Sequence, residues 1–136
     1  LEQVIPELLD RRSDLQFVFA GGGRDLDASV AASPHVTVVG RVSPAEMPTY
    51  YRAANTLVHP SLTESFGRVL VEALLCGTPV VARRAGELPS ITSNLFSTSE
   101  ELTDTLCQLE ELPVDDPSRF TPEELMPRYA AFFEQF

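Results

Sequence analysis

The chain has 136 residues, is 43% hydrophobic and 22% charged, and carries a formal net charge of -10, which suits one compact domain with an ordinary core. All 10 basic residues are Arg, and so acidic a balance excludes nucleic acid as an expected partner, because phosphate binding needs clustered cations. No apolar run approaches the ~20 residues needed to cross a bilayer, and residues 1–12 lack a signal-peptide pattern.

Residues 1–12 read as a helix whose first turn is made irregular by Pro6. Gln16–Ala20, Val36–Gly40, Thr56–His59 and Pro79–Ala82 are short, near-continuous apolar runs, the pattern of parallel strands covered on both faces. A loop is expected between the first two. Ser43-Pro44-Ala45-Glu46 places Ser at an N-cap, Pro at the first helical position and Glu at N3, a capping box that predicts a helix to about Ala54. Between Phe66 and Cys76 the residues Phe66, Val69, Leu70, Ala73 and Leu74 follow helical spacing and predict one buried stripe. Gly77, suited to the left-handed C′ position, stops that helix, and Pro79 follows. Thr98-Ser99-Glu100-Glu101 opens a helix to about Glu111, Leu112–Phe120 reads as an exposed linker, and Thr121-Pro122-Glu123-Glu124 opens a last helix toward Phe136. This order predicts an α/β domain over 1–136, a Rossmann-like, mostly parallel sheet with helices on both faces. In such sheets ligands bind beyond the carboxyl ends of the strands, which points to Gly21–Asp25, Arg41–Ser43, Pro60–Arg68 and Arg83–Ser90.

Of these segments, Gly21-Gly22-Gly23 lets backbone approach a ligand, but Leu26 takes the place of the last glycine of a dinucleotide fingerprint. A plain tight turn is the equal alternative. His59–Pro79 carries more. A strand ends, a polar loop follows, and a helix begins near Phe66-Gly67 with outward-pointing amides that make an anion site. Glu64 lies just ahead of the helix start and Glu72 lies along it; carboxylates accept hydrogen bonds from sugar hydroxyls. Their bland alternative is two surface charges. His59 fits a packed or capping role better than a catalytic base. His35 has no visible partner and is expected to be exposed. Arg83-Arg84 fit a solvated or carboxylate-paired role, with phosphate binding as the alternative. Ser61 lacks an adjacent base. With no His, Cys and acidic cluster at ligand spacing, no metal is expected. Cys76 and Cys107 are too few for a disulfide framework and suit a reducing, cytoplasmic setting. The acidic, Lys-free composition suits a salt-adapted (halophilic) host, with an Arg-favouring genome as the alternative.

The segment His59–Pro79 resembles the donor-binding domain of retaining, GT-B-fold glycosyltransferases of the group 1 family. Pro60, Ser61, Glu64, Phe66, Gly67, Glu72, Ala73, Gly77, Pro79, Val80, Val81 and Ala82 stand in register with that family's pattern. Upstream, Val36–Gly40 and the stretch from Arg41 to Ser61 are similar to it as well, as is the closing run from Phe120. The resemblance implies one half of a GT-B fold that moves a hexose from a UDP- or GDP-sugar to an acceptor with retention. It implies that Glu64 is catalytic and faces the donor sugar. Backbone at Ser65, Phe66, Gly67, Arg68, Val69 and Leu70 would hold the diphosphate, and Glu72 the ribose. Arg41 and Val42 would border the base, with Gly22 and Gly86 close to the donor. No cofactor or metal is implied, since helix dipole and basic side chains stabilise the leaving diphosphate.

The match also has departures. The family's upstream Arg and Lys, and its N-terminal acceptor domain, have no counterpart in the chain, which does not begin with Met and reads as part of a longer protein. Membrane association would come only through that absent part or a lipid acceptor. The family's Gly-Gly-x-Pro-Glu loop appears as Gly86-Glu87-Leu88-Pro89-Ser90, with an acid in place of a glycine and Ser in place of the acid. The chain alone is therefore expected to be inactive. The alternative function is a catalytically incomplete nucleotide-sugar-binding or regulatory module acting with a partner chain.

Overall fold

The computed structural model describes residues 3–21, 26–63, 67–121 and 123–124. The elements run α1 (Val4–Arg11), β1 (Phe17–Ala20), α2 (Ala28–Ala31), β2 (Val36–Gly40), α3 (Met47–Ala53), β3 (Leu57–His59), α4 (Arg68–Leu75), β4 (Val80–Arg83), β5 (Leu95–Phe96) and α5 (Ser99–Cys107). Single 3-10 turns follow at Leu88–Ser90, Leu109–Glu111 and Ser118–Phe120. The four expected strands are present. The loop expected between β1 and β2 contains the short helix α2, capped by Asp27, whose carboxylate accepts from Ser29 N–H at 2.8 Å. A fifth strand, only two residues long, was not expected.

All described pairings are parallel, and they form two ladders, β1-β2 and β3-β4-β5. The fold is α/β and Rossmann-like, and β4 shows how its layers arise. Val80 and Ala82 enter one core with Tyr51, Leu70, Ala73 and Leu74 of α3 and α4. Val81, pointing the other way, enters a second core with Val4 and Leu8 of α1 and Leu102 and Leu106 of α5. Strand side chains alternate between faces, so three consecutive apolar residues bury helices on both sides of one strand.

Local signals explain most boundaries. Gly77 adopts φ 82 just past α4, the left-handed stop its sequence position predicts. The Thr98 hydroxyl accepts from Glu101 N–H at 3.1 Å and starts α5, while the Glu101 carboxylate reaches back to Ser97 N–H at 2.6 Å, one residue further than expected. At Ser43 the capping box forms only in part. The Ser43 hydroxyl donates to the Glu46 carboxylate at 2.6 Å instead of accepting from its amide, residues 44–46 form a turn, and α3 begins at Met47. The helix expected beyond Thr121 lies mostly outside the described residues. α1 and α5 are tied by Arg11, which bonds Glu7 and Asp104 at 2.9 Å each, and by Arg12, which grips Asp14 at 2.8 Å and Glu110 at 2.6 Å.

Candidate functional site

A cavity of about 420 Å³ opens where the carboxyl ends of β1 and β2 meet the start of α4, a volume in the range of small-molecule sites. Ala20 and Gly21 from the end of β1, and Arg41 and Val42 from the end of β2, form one side. Met47 and Tyr51 of α3 form its floor, and Arg68, Val69 and Glu72 project from α4. Of the residues singled out in the sequence, the fold brings Arg41, Val42, Arg68, Val69 and Glu72 together around this space. Gly22, Glu64, Ser65 and Phe66 lie outside the described residues.

The α4 start owes its geometry to Gly67, which takes φ 68. A Cβ there would sit 2.7 Å from Leu88 Cδ2 and 3.1 Å from Ile91 Cδ1. The missing side chain therefore makes room for Leu88 and Ile91 in the core. The turn Leu88–Ser90 carries the departures at Glu87 and Ser90. Both side chains are exposed, while Leu88 is fully buried under α4. Gly86, with φ 49, is exposed in the turn leading there and does not line the cavity. Leu70 is buried in the core and does not line the cavity, and its N–H is taken by Gly67 O, so it offers no free amide to a diphosphate. Val69 is exposed at 36%, a correction to the predicted buried stripe; α4 instead buries Leu70, Val71, Ala73 and Leu74.

Leu70 and Val71 N–H donate to Gly67 O at 2.9 and 3.4 Å. Helix geometry provides no acceptor within α4 for the amides of Arg68 and Val69, which face the end where the dipole is positive. Two guanidiniums, Arg41 and Arg68, flank this end. Arg68 Nε lies 3.5 Å from Glu72 Oε1, one turn along.

Sequence reasoning missed Tyr51. It is 4% exposed, and its hydroxyl donates to Glu72 Oε2 at 2.9 Å. Burial, then the bond to the Glu72 carboxylate, raises the phenol above its usual value, so it remains a donor at neutral pH. The buried Thr78 hydroxyl donates to Tyr51 O at 2.6 Å and fixes that turn of α3 beside α4.

The remaining candidates have structural surroundings. His35 is half-buried, not exposed, with Nδ1 2.9 Å from Leu15 O and 3.1 Å from Gln16 Nε2. The Arg83 guanidinium stands 6.0 Å from the Phe96 ring centre, and Arg84 is exposed. Ser61 Oγ donates to Thr63 O. A second depression of about 440 Å³ lies between residues 89–93 and 115–119. Its Asp115 carboxylate already accepts from Thr92 Oγ1 and Ser93 N–H, and Asp116 from Ser118. Among the described residues no group of three His, Cys, Asp or Glu could hold a metal, and no helix is long and apolar enough to cross a membrane.

Comparison with known proteins bears on the site. A family model described as "Glycosyl transferases group 1" matches residues 1–111. A D-inositol 3-phosphate glycosyltransferase of Corynebacterium jeikeium is 35% identical over 150 residues, covering 98% of this chain and 36% of that protein. One of the same name from Mycobacterium bovis is 45% identical over 73 residues, covering 50% and 15%. Crystal structures of Anabaena HepE share the fold. Its complex with UDP aligns at TM-score 0.67 and 24% identity over 80% of this chain and 35% of that one. Its complex with UDP-glucose aligns at 0.62 and 26%, over 76% and 34%. The chain thus spans about a third of the length of HepE and of the C. jeikeium relative.

Proposed function

This chain belongs to the group 1 glycosyl transferases, and from that premise we propose that it is the donor-binding half of an enzyme that transfers a hexose from a UDP- or GDP-sugar to an acceptor with retention. The observation that carries this reading is the cavity in which Arg41 and Arg68 flank the amide end of α4, with Glu72 one turn along. The diphosphate lies against the first amides of α4, with Ser65 and Phe66 just ahead of them, and the two guanidiniums balance its charge. Glu72 accepts from the ribose hydroxyls, Val42 borders the base, Gly22 approaches the donor, and Glu64 faces the donor sugar.

Transfer breaks the bond between the anomeric carbon and the diphosphate, and the electron pair leaves with the diphosphate. The acceptor hydroxyl oxygen forms the new bond to the anomeric carbon, and its proton passes to the departing diphosphate oxygen. Fixed amides and guanidiniums aimed at the departing oxygens lower that barrier, and the scheme uses neither metal nor cofactor. The acceptor belongs to the rest of the protein, outside residues 1–136. A phosphorylated inositol is the first to try there, because the relatives carry that name. The free Cys76 and Cys107 fit a reducing compartment, and we place the protein in the cytoplasm.

UDP is the first probe, since HepE crystallised with it. Calorimetric titration of the chain with UDP, GDP and UDP-glucose is expected to give saturable heat with at least one nucleotide. No heat with any of the three, at millimolar ligand, would sink the reading. A second reading, a binding or regulatory module that works only with a partner chain, is favoured by the exposed Glu87 and Ser90 where the family has glycine and an acid. Unchanged activity of the full-length protein after Glu64→Ala and Glu72→Ala together would select it.

A further inference from the structure

We propose that Tyr51 is a positioning residue for the ribose contact, its core-held hydroxyl aiming the Glu72 carboxylate at the 2′- and 3′-hydroxyls of the nucleotide. The inference rests on the donor-site reading above. A glutamate on a helix surface has several rotamers of similar energy, and fixing one costs conformational entropy on binding. Here the Glu72 side chain is 43% exposed, yet it is held from below by a phenol that is itself 4% exposed. The phenol is anchored in turn. Thr78 Oγ1, buried just past the end of α4, bonds the Tyr51 carbonyl at 2.6 Å. The chain of contacts from Thr78 through Tyr51 to Glu72 thus begins and ends on the segment that carries the carboxylate.

The acceptor count supports the same assignment. An ionised carboxylate has about four acceptor positions. Tyr51 occupies one on Oε2, and Arg68 Nε stands beside Oε1 at 3.5 Å. About two positions remain on a side chain that lines the cavity, enough for a vicinal diol. The phenol's raised pKa keeps it a donor across the working range, so the carboxylate is oriented at every pH where it is ionised.

The competing account is that a buried phenol only needs some partner and that Glu72 is the one at hand. Tyr51→Phe, which deletes one oxygen and keeps the ring in the core, separates the two. Dissociation constants for UDP and 2′-deoxy-UDP are measured by calorimetry on the whole chain, on Tyr51→Phe, on Glu72→Gln and on the double variant, with Tm taken for each. The wild type is expected to prefer UDP, and Tyr51→Phe to cut that preference about tenfold, as the loss of one charge-assisted contact does. In the Glu72→Gln background, Tyr51→Phe should change nothing more. Glu72→Asp, at a half-exposed position, keeps the charge but withdraws the carboxylate from the phenol; the preference should fall there too. Should Tyr51→Phe or Glu72→Asp retain the wild-type preference, the inference is overturned while the donor site stands. If the wild-type chain binds neither nucleotide, the donor-site reading fails and takes the inference with it.

Discussion

The two faces of β4 use charge in opposite ways. On the α1–α5 face, Arg11 and Arg12 are consumed by Glu7, Asp104, Asp14 and Glu110, and Arg12 also bonds Cys107 O at 2.9 Å. Cation and anion satisfy one another, and the product is a clamp between two helices. On the α3–α4 face, Arg68 is 85% exposed and Arg41 is exposed beside it, with one long contact to Glu72 between them. Among the described residues neither guanidinium ties one element of the fold to another: Arg68 reaches only Glu72 on its own helix, at 3.5 Å. That is the arrangement the proposed donor diphosphate would use.

The largest expected effect tests how firmly the ligand face is built. Gly67→Val forces a β-branched residue to positive φ and pushes a Cβ into Leu88 and Ile91. It should cost about 3 kcal/mol in denaturant unfolding, from backbone strain and overpacking together, and should abolish UDP binding in whatever fraction stays folded. A smaller effect breaks the comparison if the two faces are alike. Arg68→Ala should weaken UDP about tenfold and flatten the salt dependence of binding, with Tm unchanged. Arg12→Ala should lower Tm by a few degrees and leave the UDP dissociation constant alone; a swap of these outcomes would show the assignment of faces to be wrong.

The smallest effect is with pH. The Arg12 guanidinium, with Asp14's own backbone bond second, lowers Asp14 from 3.8 to about 2, and Arg12 likewise lowers Glu110. Both folded values lie below the unfolded ones, so their stabilisation is present above about pH 4 and is lost as pH falls toward 2. Melting curves between pH 5 and 2 should therefore steepen in the wild type relative to Arg12→Ala. Both carboxylates are exposed, so solvent screening keeps the difference small.

Much of this was legible in the sequence because it is local. Gly67 and Gly77 bracket α4, Thr98 and Glu101 start α5, and four apolar runs mark four strands. Arg41, Val42, Arg68 and Glu72 could be placed at one site because strand ends and a helix start converge in an α/β sheet. What escaped depends on distance in the chain. Tyr50 and Tyr51 are adjacent and chemically alike, yet one is 37% exposed and the other 4%. Only the packing of α3 on α4, 21 residues away, decides which hydroxyl meets Glu72. Val69 fits the apolar stripe by spacing, but it sits at the edge of the helix's buried face. The reason for Gly67 lay at Leu88 and Ile91, again beyond local reach. β5 is two residues long and has no period to read.

β1 is hydrogen-bonded only to β2, and β3 only to β4, among the described residues. Among those residues each has one backbone row with no strand partner, and Val18 on β1 and Val38 on β2 are 56% and 55% exposed. Such edges template the addition of further extended chain. The net charge of -10 opposes this between copies through long-range repulsion. Salt of molar strength shortens the reach of that repulsion to about 3 Å. In concentrated brine the colloidal stability of this polypeptide then rests on whether those two rows are covered, and no longer on its acidity.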